Sequence, residues 1–326
     1  MKTVLTKSPE EAAGFIRRGG VVAFPTETVY GLGANVFDEQ AIAKIFAAKR
    51  RPADNPLIAH VANLEQIELL VSEITPNAQK LIEAFFPAPL TLVLPKAVKI
   101  PLAATANLDT VGVRMPQNKI AQEFLKFCET PVVAPSANLS GRPSPTDWQA
   151  VYEDLNGEID CVLQSKATKI GLESTVVDCT ADIPLILRSG AVTLEQLQKI
   201  IPETQIYRFK ENEAARSPGL KHRHYSPRAR VVLVEKGALT ENGKWKMESD
   251  EPTAFIGLEK PGGEFDLTKI CASTEEYARE VFAFFRECDR QNIKTIYCEV
   301  VGEKEIGRAL MDRLRRAARS ELKIKN

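Results

Sequence analysis

The sequence predicts an α/β protein: a twisted mixed sheet with flanking helices, followed by a smaller α/β unit. Three observations predict it. Short apolar or β-branched runs bounded by Gly and Pro alternate with helix-cap signatures along the chain. Several strand connections are too short for crossover helices, which favours a mixed over an all-parallel sheet. Residues 207–230 lack apolar periodicity, carry Pro218, Gly219 and Pro227, and read as a linker between 1–206 and 231–326. A chain of 326 residues suits two such units, at about 150 residues per domain.

Taken in order, Ser8-Pro9-Glu10-Glu11 is a capping box with Pro at the first helical position, and Gly19 ends that helix. Val21 to Phe24, between Gly-Gly and Pro25, read as a buried strand, followed by a loop Thr26-Glu27-Thr28-Val29-Tyr30-Gly31-Leu32-Gly33. Asp38 caps a helix over about 39–49, with Ile42, Ile45 and Phe46 on one face. Asn63 and Thr75-Pro76 start helices near 64–71 and 76–85. Thr91–Leu94 and Val111–Met115 read as strands, the second placing Thr110, Gly112 and Arg114 on one face. A helix near 118–127 leads into strand 132–134 and the segment Pro135-Ser136-Ala137-Asn138. A Pro-rich loop, a helix around 147–155, strands at 161–163, 175–178 and 185–188, and a helix capped by Thr193 and Gln196 complete the first unit. Beyond the linker, strands at 231–234, 253–257 and 294–300 alternate with two helices. One opens at Ser273 and lines up Tyr277, Val281, Phe284, Phe285 and Cys288. The other, about 305–319, is Arg-rich, with a solvated face expected because Glu305, Asp312 and Glu321 dilute its charge.

Composition excludes several classes. Apolar content of 44% and charged content of 26% are those of an ordinary globular protein, and no run of about 18 apolar residues is present to cross a membrane. Six cysteines without a C-x-x-C pattern suit reduced thiols in a cytoplasmic protein, and three histidines argue against a zinc cage. Net charge is zero, but 207–230 hold 7 Lys+Arg against 2 Asp+Glu, while 1–206 hold 19 against 23. A positive excess confined to one connector fits a compact polyanion such as ATP better than a long nucleic-acid track.

The chemistry gathers where strands end. Phe24-Pro25-Thr26-Glu27-Thr28 and Ala134-Pro135-Ser136-Ala137-Asn138 share one pattern: a strand, a proline that ends its ladder, then small polar side chains. These polar groups either face a cleft or satisfy local turns. Lys49 and Arg51, at a helix end, either complement its dipole or hold phosphate oxygens. Asn55 orients a phosphate or ends a turn, and His60 is a ligand or a core histidine. Arg114 must reach water or find an anion, either a carboxylate ligand or a structural Asp. Arg188 ends a strand as a ligand contact or in a surface salt bridge. No P-loop is present, and Gly31-Leu32-Gly33 lacks the third glycine of a dinucleotide fingerprint. Residues 19–60 read as half of a nucleotide-plus-amino-acid site.

Together, the Phe24–Gly33 loop, Lys49-x-Arg51, Asp54-Asn55-Pro56, Val113-Arg114-Met115-Pro116 and Ser136-x-Asn138 resemble the YrdC-type threonylcarbamoyl-AMP synthases over about residues 5–205. Ser217 to Pro227 resembles the linker of that family's long form, which adds a C-terminal Rossmann-like domain; Leu220 stands where a methionine is frequent. The resemblance implies condensation of L-threonine, bicarbonate and ATP to threonylcarbamoyl-adenylate and pyrophosphate. It implies Mg2+ bound mainly through the ATP phosphates, with no protein metal cage, and a downstream tRNA threonylcarbamoyl-transferase complex; direct tRNA binding stays open. Carried over, the threonine pocket falls on Thr28, His60, Arg114, the Ala134 backbone and Ser174. The ATP contacts fall on Lys49, Arg51, Asn55, Thr110, Ser136, Asn138, Ser144, Arg188 and Tyr225, with Lys49 and Arg51 stabilising charge during catalysis. The linker, through Tyr225, is expected to close as a lid anchored by the C-terminal domain. A hydrogenase-maturation carbamoyl-adenylate module and a non-catalytic RNA-binding role are the competing readings.

Overall fold

The computed structural model describes residues 2–52, 55–207, 226–237, 251–318 and 323–324. The chain opens with β1 (Val4–Thr6), α1 (Pro9–Arg17), β2 (Val22–Phe24), β3 (Gly31–Asn35), α2 (Glu39–Lys49) and β4 (Ile58–His60). It continues through α3 (Leu64–Glu68), α4 (Pro76–Phe85), β5 (Leu90–Pro95), α5 (Leu102–Thr105), β6 (Thr110–Arg114), α6 (Lys119–Cys128) and β7 (Val132–Ala134). Then come α7 (Trp148–Leu155), β8 (Cys161–Leu163), β9 (Thr175–Asp178), β10 (Leu185–Arg188), α8 (Leu194–Gln198) and β11 (Gln205–Ile206). The last part holds β12 (Arg230–Val234), β13 (Thr253–Gly257), β14 (Leu267–Ile270), α9 (Thr274–Arg290), β15 (Thr295–Glu299), α10 (Ile306–Ala317) and β16 (Lys323–Ile324).

The first eleven strands form one sheet, ordered β1-β8-β2-β3-β7-β4-β6-β5-β9-β10-β11. Antiparallel pairs such as β2/β3 and β5/β6 sit beside parallel ones such as β4/β6 and β5/β9, so the sheet is mixed as expected. Central strands are buried on both faces. Val22 and Phe24 pack with α1 and α6, while Ala23 joins the core on the other face. The last five strands form an all-parallel sheet, ordered β14-β13-β15-β12-β16. The expected lid and linker at 207–230 fall largely on 208–225, outside the described residues. Among the described residues no helix is long and apolar enough to cross a membrane, and all six cysteines are buried free thiols.

Local signals were obeyed where both partners are near in sequence. Asp38 accepts from the amides of Gln40 and Ala41, and Thr193 with Gln196 forms a full capping box. At α1 only half of the expected box forms: Ser8 accepts from Glu11 N at 3.2 Å, but the Glu11 carboxylate takes the Thr6 hydroxyl instead.

Two expectations need correction. Gly31 to Gly33 belong to a strand, not a loop. A Cβ on Gly33 would lie 2.6 Å from Val132 Cγ1 and 3.0 Å from Phe24 Cε1, so bare backbone there lets β3 pass against the Phe24 ring. Gly33→Ala should therefore overpack this contact and lower stability by about 1–3 kcal/mol, read as an earlier midpoint in chemical denaturation. The Arg-rich helix is the second case. Arg313 on α10 is only 1% exposed, because α10 packs against the first unit and meets a buried carboxylate there.

Candidate active site

The backbone around the C-terminal end of β2 is tied to the end of β7. Ala137 N donates to Tyr30 O at 2.8 Å, Leu32 N to Pro135 O at 2.9 Å, and Tyr30 N to Pro145 O at 2.9 Å. Within the turn, Thr26 Oγ1 reaches Val29 O at 2.7 Å and Thr28 Oγ1 at 2.8 Å. The two proline-terminated segments thus meet across a small cavity. It is lined among others by Thr26, Tyr30, Arg51, His60, Arg114, Ala134, Ser136, Glu173, Ser174 and Arg188.

Arg114 is 4% exposed and pairs with Glu27 at 2.7 Å. The second Glu27 oxygen accepts from Gln117 N at 3.1 Å. The structural acid beside Arg114 is therefore Glu27, across the sheet, rather than an Asp. Arg114 Nε is buried with no hydrogen-bond partner among the described residues. An orphaned buried donor of this kind costs about 1–3 kcal/mol, which an anion in the cavity would relieve.

His60 lies beside Arg114 in the parallel register of β4 and β6. Its ring meets the Phe24 ring edge-on at 5.5 Å, and Nδ1 is 3.1 Å from Ile58 O. Burial, then the Arg114 charge, pushes its pKa down to about 3. The folded protein thus refuses a proton that the unfolded chain accepts near its ordinary pKa of 6.5. Stability should fall as pH drops below that value towards the folded pKa. The His60 ring signals in NMR should stay flat from pH 8 to 5; an inflection near 6.5 would contradict this burial.

Lys49 and Arg51 owe their common direction to the residue between them. Arg50 adopts a left-handed conformation, with φ of 50°, and caps α2. The chain reverses there, so Lys49 turns inward, Arg50 is exposed and Arg51 is half-buried. Lys49 is 1% exposed, not simply a surface cation at a helix end, and Nζ donates to the carbonyls of Ser136 and Asn138. Burial, and then Arg51, hold its pKa well below the usual ammonium range. Ser136 Oγ donates to Asn138 Oδ1, so Lys49, Ser136 and Asn138 form one cluster. Arg51 reaches back to the carbonyls of Asn55 and Pro56 at 3.1 and 3.4 Å. Asn55 is 1% exposed, and neither atom of its amide has a partner among the described residues.

On the opposite wall, Ser174 Oγ is 2.8 Å from Thr91 Oγ1 and accepts from Arg188 at 3.1 Å. Arg188 is buried at 8% exposure, so the surface-salt-bridge alternative does not apply. Ser144 Oγ donates to Glu173 Oε1 at 2.6 Å. Burial raises the Glu173 pKa, but Arg313, Arg188 and the Ser144 hydrogen bond outweigh it and hold the group below its ordinary value.

Arg51, His60, Arg114, Ala134, Ser136, Ser174 and Arg188 share the cavity wall. Thr28, Lys49, Asn138 and Ser144 stand one contact behind it through Thr26, Ser136 and Glu173. Thr110 borders a separate small crevice with Pro56 and Gly112. Tyr225 lies outside the described residues. Glu27, Glu173 and Arg313 were missed as site residues, since no local pattern announces a partner some 90 or 140 positions away. Among the described residues no group of three or more His, Cys, Asp or Glu is placed to hold a metal. A larger cavity of about 850 Å³ lies beyond Glu27, but none of the predicted site residues lines it. Convergent charge and orphaned donors mark the site better than volume does.

A mixed sheet whose strand ends converge on buried cations and hydroxyls defines an α/β protein with a cleft lined by arginines and hydroxyls. The Sua5/YciO/YrdC family model, described as "Telomere recombination", matches residues 14–190. A second model, described as "Threonylcarbamoyl-AMP synthase, C-terminal domain", matches 192–319. A threonylcarbamoyl-AMP synthase of Pyrococcus abyssi is 46% identical, covering 94% of this chain and 93% of the relative. One from Bacillus subtilis is 38% identical, covering 96% and 94%. The crystal structure of P. abyssi Sua5 complexed with L-threonine superposes with a TM-score of 0.89 at 43% identity, covering 97% of each chain. The chain belongs to the threonylcarbamoyl-AMP synthase family, in its long, two-part form.

Proposed function

We propose that this chain is a nucleotidyltransferase that joins L-threonine, bicarbonate and ATP into threonylcarbamoyl-AMP, releasing pyrophosphate, for the N6-threonylcarbamoyladenosine modification of tRNA. The observation that carries it is the buried Arg114, held by Glu27 yet with Nε unpartnered, in a cavity walled by Arg51 and Arg188. Homology along the whole chain supports the same reading.

Arg114 holds the threonine carboxylate, with Ser174, Thr28 and the Ala134 backbone around the amino acid. The cavity is small and open on one side, so the nucleotide extends beyond it. Its phosphates lie towards Arg51 and the Lys49–Ser136–Asn138 cluster, with Asn55, Thr110, Ser144, Arg188 and Tyr225 as further contacts. Magnesium arrives as part of MgATP and is held mainly by phosphates and water.

The threonine amine attacks the carbon of bicarbonate, water leaves, and a carbamate forms. A carbamate oxygen then attacks the α-phosphorus, and the bond to the bridging oxygen breaks with its electron pair leaving on pyrophosphate. The neutral ring of His60 beside Arg114 adds no second positive charge at the amine end. Lys49 and Arg51 stabilise charge on the leaving group, and no side-chain nucleophile is required. Residues 1–206 hold this site, 231–326 form the second unit, and a tRNA threonylcarbamoyl-transferase complex consumes the product. Purified protein with ATP, bicarbonate and threonine should yield threonylcarbamoyl-adenylate by mass spectrometry. Pyrophosphate release that ignores threonine or bicarbonate would refute the reading.

A further inference from the structure

Two buried arginines cross from the last two long helices into the wall of the cavity. Arg313 on α10, 1% exposed, donates Nε to Glu173 Oε2 at 2.9 Å and Nη2 to Ser189 O at 3.1 Å. The other Glu173 oxygen accepts the Ser144 hydroxyl, and Ser189 directly follows Arg188. Arg286 on α9, 3% exposed, donates Nε and Nη2 to Pro143 O at 3.1 and 2.6 Å. It also meets Asp154 with two hydrogen bonds, at 3.2 and 2.8 Å. Asp154 in turn accepts from Leu139 N at 3.2 Å and pairs with Arg142 at 2.5 Å. The Pro143–Ser144 segment is thus held by Arg286 on one side and by the Glu173–Arg313 pair on the other.

Apolar contact runs the same way. Val29, which lines the cavity, and Leu172, which precedes Glu173, pack into the core of the C-terminal unit. A Cβ on Gly171 would sit 2.4 Å from the backbone of Arg279 on α9, so the two units touch without space between them. An apolar interface alone would hold them together. Buried ion pairs add little net stability over apolar replacements, because desolvation offsets their attraction, whereas they do fix orientation.

We propose that the C-terminal unit completes the nucleotide side of the catalytic cavity, with Arg313 and Arg286 as positioning residues that fix Glu173, Ser144 and the end of β10. This rests on the reading of Ser144 and Arg188 as nucleotide contacts. Lid closure is not required for it: the C-terminal unit acts directly on the wall, through contacts already formed.

The test is calorimetric titration of the full chain with ATP and, separately, with threonine. Arg313→Met should weaken ATP binding at least ten-fold and leave threonine affinity within about three-fold. Arg313→Lys, which keeps the charge but cannot bridge Glu173 and Ser189 together, should fall between the two. In a Ser144→Ala background the Arg313→Met effect should shrink, since the route through Glu173 is already cut and only the one through Ser189 is left. Arg308, also on α10, forms a half-exposed pair with Glu195 of α8, and Arg308→Met should leave both affinities unchanged. Wild-type ATP affinity in a folded Arg313→Met protein would overturn the proposal, as would full additivity with Ser144→Ala. If Arg313→Met fails to fold, Arg313→Lys decides by the same criteria. A wild-type protein that binds no ATP would overturn the nucleotide reading itself, and this assignment with it.

Discussion

Lys49→Ala and Arg51→Ala should each lower kcat/KM for adenylate formation by the equivalent of about 2–5 kcal/mol of transition-state stabilisation, the scale of a lost charge-assisted contact. In the proposed reaction both side chains lie towards the charge that grows on the departing pyrophosphate. Lys49 is also desolvated, so its interaction with phosphate is little screened by water. The two variants should part in stability. Lys49 satisfies two buried carbonyls, and its loss should cost about 1–3 kcal/mol of folding free energy as well. Arg51 is half-buried at a helix end, so Arg51→Ala should keep a nearly native denaturation midpoint. Pyrophosphate release and chemical denaturation measured on the same samples separate the two effects. Wild-type turnover in the double variant would remove both residues from the reaction.

Arg114→Ala should abolish measurable threonine binding while weakening ATP far less. The loss combines the missing carboxylate partner with a Glu27 carboxylate left buried and unpaired, and removing one member of such a pair costs about 3–5 kcal/mol. Arg114→Lys keeps that charge balance and is the cleaner probe. It should fold, yet bind threonine at least ten-fold more weakly, because an ammonium cannot serve Glu27 and a ligand carboxylate through one planar fork. Calorimetry with each ligand decides the matter. Equal losses for threonine and ATP would make Arg114 a structural residue whose role is to pair with Glu27.

Much of this was legible before the fold. The Asp38 and Thr193 caps, the strands at 161–163, 175–178 and 185–188, and the core face of α9 rest on groups within a few residues of one another. Side-chain period and capping chemistry act at that range, so the local sequence is enough to place them. The mixed character of the first sheet followed from connection length alone. The ordered motifs also brought the family into view, because strand–proline–hydroxyl segments and Lys49-x-Arg51 are contiguous in sequence.

Tertiary structure alone decided what each of those groups touches. Gly31 and Gly33 look like loop residues locally, but Phe24 and Val132 closing on bare backbone make them a strand. Arg313 reads as a solvated charge on a helix diluted by acids until Glu173, 140 residues earlier, meets it in a buried interface. Glu27 finds Arg114 across 87 positions, and Lys49 finds the Ser136 carbonyl across the same distance. The sequence determined which charges the chain carries and which short elements hold them. Only packing removed water from around Lys49, Arg114 and Arg313, and desolvation is what turns an ordinary surface cation into one that must have a partner.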